Sequence, residues 1–180
     1  MEATVTALRD ELIDRCKRGE ATAFKELYQR YAKAMYNTCL RILNNASEAE
    51  DVLQESFTEA FRNIHGFEYR SGFGSWIKQI CINRSINQLK RRKVTWVDIE
   101  LANKHEEIYF NETDELDIQF RVEKVKLAIK QLPDGYRAVL SLYLLEGYDH
   151  EEIAEILQVS GSTSRTQYIR AKQKLLQLLK

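Results

Sequence analysis

The sequence predicts an all-α protein: two small helical domains joined by an acidic linker, the C-terminal one a helix-turn-helix. Three observations lead there. One proline and seven glycines in 180 residues leave long stretches in which nothing interrupts a helix. The strong helix formers Leu, Ala, Glu, Lys, Arg and Gln dominate the composition. Apolar residues recur at helical spacing in segment after segment.

Residues 6–18 read as a short helix stopped by Gly19. The run TAFKELYQRYAKAMYNTCLRIL sets Phe24, Leu27, Tyr28, Tyr31, Met35, Cys39 and Ile42 on one side and ends at Asn44 and Asn45. Ser47 with Glu50 is a capping-box pair for the next helix, SEAEDVLQESFTEAFRNI. That helix would bury Val52, Leu53, Phe57, Ala60, Phe61 and Ile64 and turn Asp51, Gln54, Glu55, Thr58 and Glu59 outwards. HGFEYRSGFGS follows, a turn with glycines among aromatic residues. In GSWIKQICINRSINQLKRRK, a wheel at roughly 100° per residue puts Phe73, Trp76, Ile77 and Ile80 on one side. The same side continues as Asn83, Arg84, Asn87 and Arg91, while Ile82, Ile86 and Leu89 point oppositely. Residues 1–93 form the first domain on this reading and residues 94–117 the linker.

Residues 118–180 form the second domain. FRVEKVKLAIKQL is a helix, Pro133-Asp134-Gly135 breaks it, and YRAVLSLYLLEG runs to Gly147. Asp149 and Glu152 make a capping-box pair for HEEIAEIL. The turn QVSG leads into STSRTQYIRAKQKLLQLL, with Ile153, Ala154, Leu157 and Val159 on the inner side. A short helix, a tight turn and a longer helix with a cationic front are the ingredients of a helix-turn-helix, although generic helical pairs share them.

The 27 basic and 27 acidic residues cancel, but their distribution is uneven. Arg84 to Lys93 carries Arg84, Lys90, Arg91, Arg92 and Lys93 with no acid, and Gly161 to Lys180 is likewise acid-free. Between them lies the acidic segment, with Lys104 as its single cation. Two basic patches flanking an acidic spacer point to a nucleic-acid partner.

Other classes are disfavoured. Cys16, Cys39 and Cys81 are scattered through apolar helical patterns, as are His65, His105 and His150 through the chain, so neither disulfides nor a metal site is expected. No catalytic grouping or phosphate-cradling glycine loop appears, and no cofactor is expected. No export signal or membrane-length apolar run is present, which suggests a soluble, cytoplasmic protein without membrane insertion.

The stripe on the GSWIKQICINRSINQLKRRK helix runs from aromatic rings through paired amides to cations. Rings stack on bases, amides read base edges and cations meet phosphates, as a single-strand surface requires. In the last helix Arg165, Thr166, Gln167 and Arg170 are placed to reach base edges in a major groove, with Lys172 and Lys174 suited to phosphate.

At these residues the chain resembles the small two-domain extracytoplasmic-function (ECF) group of bacterial sigma factors. AEDVLQESFTEAF resembles the helix that binds the RNA polymerase clamp, and FEYRSGFGSWIKQICINRSINQLKRR the minus-ten melting segment. LPDGYRAVLSLYLLEGYDHEEIAEIL and STSRTQYIRAKQKL resemble the promoter-binding C-terminal domain and its recognition helix.

The resemblance implies that Asp51, Gln54 and Glu55 bind polymerase, and that Phe67, Asn83 and Asn87 capture a flipped base of the non-template strand. With Trp76, Arg84, Arg91 and Arg92 these would form the minus-ten surface, and Arg165, Thr166, Gln167, Arg170 and Lys172 the minus-thirty-five surface. It implies core RNA polymerase, promoter DNA and an anti-sigma factor as partners. The linker takes the place of the family segment that runs toward the active-site and RNA-exit channels. Ser164 stands where many members have valine, and Gln167 where arginine is frequent. A stand-alone helix-turn-helix regulator and a helical adaptor without a nucleic-acid role are the rival readings.

Overall fold

The computed structural model describes residues 10–92 and 115–180, with side chains from 119 onward in the second stretch. Every regular element among them is helical: α1 (Glu11–Lys17), α2 (Ala21–Leu43), α3 (Ala46–Arg62), a 3-10 turn (Ile64–Gly66), α4 (Phe73–Arg91), α5 (Glu115–Gln131), α6 (Asp134–Leu144), α7 (His150–Leu157) and α8 (Gly161–Leu179). By its contacts the chain divides into two compact units, Met1–Gln88 and Leu89–Lys180. The acidic segment 94–117 lies outside the described residues, except that Glu115 opens α5.

In the first unit α2 packs against α1 and α3. Ile13, Leu27, Ile42, Leu43, Ile64, Ile77 and Ile82 are fully buried. Between α2 and α3, Phe57 meets Tyr28 and Phe61 meets Phe24 edge-on, with ring centroids 4.8 and 5.0 Å apart. Such pairs contribute about 0.5–1.5 kcal/mol beyond the area they bury. Gly74 lets α4 approach α2: a Cβ there would lie 2.9 Å from Cε1 of Tyr31. The three cysteines are free and buried, as the sequence suggested. A hydrogen bond with Cys39, reinforced by burial, pushes the Cys81 thiol pKa up, so it stays neutral.

Helix ends explain the connections. Gly19, at φ 82°, takes the left-handed conformation just past α1. Asn44 ends α2 in the same conformation, at φ 50°. The cap of α3 is Asn45, whose side chain accepts from the Glu48 amide, not the expected Ser47. The asparagine lies two residues nearer the left-handed stop, so it reaches the first free amides and Ser47 falls inside the helix.

The second unit gathers α5, α6 and α7 on α8. Leu132, Tyr136, Leu140 and Ala171 form its core cluster, with Ile129, Leu175 and Leu178 packed on it. Arg137 is buried in the turn between α5 and α6, where it donates to the Leu132 carbonyl at 2.8 Å and pairs with Asp134. A buried guanidinium is tolerated there because it satisfies carbonyls that the end of α5 leaves open. The expected capping box on α7 is present: Asp149 accepts from the Glu151 and Glu152 amides, and Glu152 accepts from the Asp149 amide.

Asp149→Ala removes that cap. It is expected to destabilise the second unit by about 1 kcal/mol, visible as a fall in its urea or thermal midpoint.

Candidate nucleic-acid interface

Burial along α4 follows a drifting line. Phe73, Ile77 and Cys81 are buried in the first half, then Ile82, Ser85, Ile86 and Leu89 in the second. The apolar side therefore swings around the axis instead of keeping one azimuth. Phe73 and Ile77 accordingly belong to the core and not to the outward stripe where the wheel placed them. What remains outward is Trp76 and Ile80, half-buried, with Asn83 and Asn87 exposed beside them.

The loop before α4 packs on the head of that stripe. The Phe67 ring lies 5.1 Å from Trp76, 5.0 Å from Tyr69 and 5.9 Å from Phe73, centroid to centroid. It is 5% exposed, packed among these rings with the Lys17 ammonium 6.0 Å from its centroid. Phe67, expected among the residues that capture a base, is buried in this structure and supports the cluster, while Trp76 and Tyr69 are half-buried.

Arg84, expected on the minus-ten surface, is ion-paired in this structure. It donates through Nε to Glu59 at 2.7 Å and through Nη1 to Glu55 at 2.5 Å. Its charge is thus met by two carboxylates of α3, one of them on the expected polymerase-binding face. Asp51, Gln54 and Glu55 are exposed together on that face, as the pattern required. The Arg84–Glu55 contact joins two surfaces that the sequence treated separately. Arg91 is exposed and Arg92 half-buried at the C-terminal end of α4.

In the second unit α7, a left-handed Gln158 (φ 61°) and α8 make the helix-turn-helix. Ser160 caps α8 by accepting from the Thr163 amide at 3.1 Å. Arg165 and Thr166 are exposed on its early turns, Lys172 is exposed farther along and Arg170 is half-buried. Gln167 is corrected: at 4% exposure its amide lies inside the unit and not on the Arg165–Thr166 side. Ser164 is fully buried too, its hydroxyl 3.0 Å from Nδ1 of His150. His150 in turn stacks on Tyr143 with centroids 4.6 Å apart. The buried Ser164 hydroxyl has therefore found a hydrogen-bond partner. Burial raises the Tyr168 pKa, with Tyr143 adding to it. Arg165 donates to Glu151 of α7 at 2.5 Å.

Sequence reasoning missed Lys17, Asp14, Tyr69 and Glu151. Lys17 donates to the Phe67 carbonyl at 2.7 Å, and the Tyr69 hydroxyl donates to Asp14 at 2.5 Å. A lysine and an aspartate three apart on α1 carry no signal that they serve a loop about 50 residues on.

Over residues 27–95 the sequence matches the family Sigma-70 region 2, and over residues 123–175 Sigma-70, region 4. It is 30% identical over 172 residues to the ECF RNA polymerase sigma factor SigW of Bacillus subtilis, covering 91% of this chain and 92% of that relative. The chain belongs to the ECF sigma factors of the sigma-70 family. The RNA polymerase sigma-H factor of Pseudomonas aeruginosa is 31% identical over 172 residues, covering 91% of this chain and 89% of the relative. Among solved structures, the sigma factor RpoE of Bartonella quintana, in complex with the anti-sigma factor NepR, is similar at a TM-score of 0.55 and 23% identity. That match covers 87% of this chain and 96% of RpoE. As a sigma factor the chain is a transcription-initiation subunit and not an enzyme. No described helix is long and apolar enough to cross a membrane, and no described group of three or more His, Cys, Asp or Glu side chains suits a metal ion.

Gln167→Ala is expected to lower the thermal midpoint of the second unit, at about 1–2 kcal/mol. Arg165→Ala and Thr166→Ala, at exposed positions, should stay within about 0.5 kcal/mol of the parent.

Proposed function

We infer that this sigma factor binds core RNA polymerase in the cytoplasm and directs initiation by reading the minus-ten element as single strand and the minus-thirty-five element as duplex. The observation that carries this reading is the outward stripe of α4. Asn83 and Asn87 stand exposed in line with Trp76 and Ile80, on a helix whose other side is buried. Amides beside a half-exposed indole suit an unpaired base, read on its edge and stacked on its face. Asp51, Gln54 and Glu55 form the polymerase-facing surface of α3. Arg165, Thr166 and Arg170 read duplex bases, and Lys172 and Lys174 meet phosphate. Residues 1–93 and 118–180 act as the two promoter-binding domains and 94–117 as the connection through the polymerase.

An anti-sigma factor is the expected inhibitory partner; the similar RpoE is in complex with the anti-sigma factor NepR. It would cover surfaces that polymerase otherwise occupies.

The test is reconstitution. Purified protein added to core polymerase should give promoter-dependent transcripts, and absence of any polymerase binding would refute the reading. A stand-alone regulator would instead bind duplex tightly without polymerase, usually at two half-sites. Asn83→Ala should lower promoter opening about tenfold, within the roughly 1–3 kcal/mol of a good base contact. Because the side chain is exposed, polymerase affinity and folding should be kept.

A further inference from the structure

Tyr69 adopts a left-handed backbone, φ 58°, in a loop bounded by Gly66 and Gly72. For an aromatic residue this conformation is strained and persists only where neighbours enforce it. The neighbours are on α1. Lys17 donates to the Phe67 carbonyl at 2.7 Å, and its ammonium lies 4.5 Å from the Tyr69 ring centroid. Asp14, one turn earlier, accepts from the Tyr69 hydroxyl at 2.5 Å. One short helix thus holds the loop at three points: a main-chain carbonyl, a ring face and a ring hydroxyl. The Phe67 ring, fixed by the first of these, packs on Trp76 at the head of the Trp76–Ile80–Asn83–Asn87 stripe.

We propose that Lys17 and Asp14 are positioning residues for base capture, bracing loop 67–72 through Tyr69 so that it stands ready against Trp76 before the strand arrives. The inference rests on the minus-ten reading above and deepens it. A loop with glycines at both ends would otherwise have to be ordered when the base enters, and that ordering would weaken capture. The brace moves the ordering into folding. Neither Lys17 nor Asp14 needs to touch DNA.

The test uses the full chain carrying Trp96→Phe, which leaves Trp76 as its one tryptophan. Lys17→Met keeps most of the stem and removes the charge and the donor. Lys17→Arg restores both, and Tyr69→Phe removes only the hydroxyl that meets Asp14. Amide exchange over residues 66–72 and acrylamide quenching of Trp76, both without DNA or polymerase, report the loop itself. Lys17→Met, which loses a charge-assisted hydrogen bond and the cation–π contact together, should raise loop exchange on the order of tenfold, and Tyr69→Phe, which loses only the bond to the Asp14 carboxylate, by less. Lys17→Arg should return toward the parent.

In the reconstituted holoenzyme, Lys17→Met should slow promoter opening severalfold and blunt discrimination at the captured base, with polymerase affinity kept. Unchanged exchange in both Lys17→Met and Tyr69→Phe overturns the brace. A loosened loop with opening unchanged or faster overturns its role in capture and makes the contact a restraint instead. If the parent itself opens no promoter, the minus-ten reading fails, while the exchange contrast still decides whether α1 holds the loop.

Discussion

The packing of Phe67 against Trp76 is the contact on which the arrangement of the first unit's outer surface depends. It is the point where an irregular loop is tied to a regular helix, and it sets where the half-buried Trp76 and Tyr69 rings lie relative to the amides farther along α4. Everything beneath it is ordinary core: Phe73 on Tyr31, Gly74 admitting the α2 ring, and Cys81 against Cys39. Side chains around such a cluster cannot shift independently, because interiors are packed at crystal-like density. The outward surface around Trp76 therefore inherits its geometry from the core, through the buried rings of Phe67 and Phe73.

The α4 helix has to serve two masters, a core that meets it along a drifting line and an outward stripe that must stay continuous. That conflict shows in which residues the sequence could and could not place. The helices, the Pro133 break, the Gly19 and Gly147 stops and the Asp149 capping box are local chemistry, and local chemistry is written in neighbouring residues. Asn83 and Asn87 were legible for the same reason, since they interrupt an apolar run at helical spacing. Phe73 and Ile77 were misplaced because a wheel assumes a fixed azimuth, whereas the neighbours of α4 change along its length.

Gln167 was assigned by its type and register, yet burial depends on what α8 packs against, which no single helix encodes. Tyr69 is the sharper case. Its role follows from a backbone conformation and from contacts to α1, and both are products of tertiary structure. The family resemblance assigned expected surfaces helix by helix. It did not disclose that the loop ring is a buried support or that two expected DNA-facing arginines have acidic partners.

Those partners recur in both units: Glu55 and Glu59 hold Arg84, and Glu151 holds Arg165. The pairs are partly or largely exposed, so each adds at most about 1 kcal/mol to stability. Their consequence lies in ion exchange. A free arginine that reaches a phosphate sets loose the counter-ions condensed there, which makes binding fall steeply with salt. An arginine that must first leave a carboxylate exposes that carboxylate to solution, and it gathers cations of its own. Release on the DNA is then partly balanced by uptake on the protein. Any DNA contact made through Arg84 or Arg165 would accordingly be a weaker function of ionic strength than a count of cations implies, and the neutral net charge of the chain is reproduced in miniature at these surfaces.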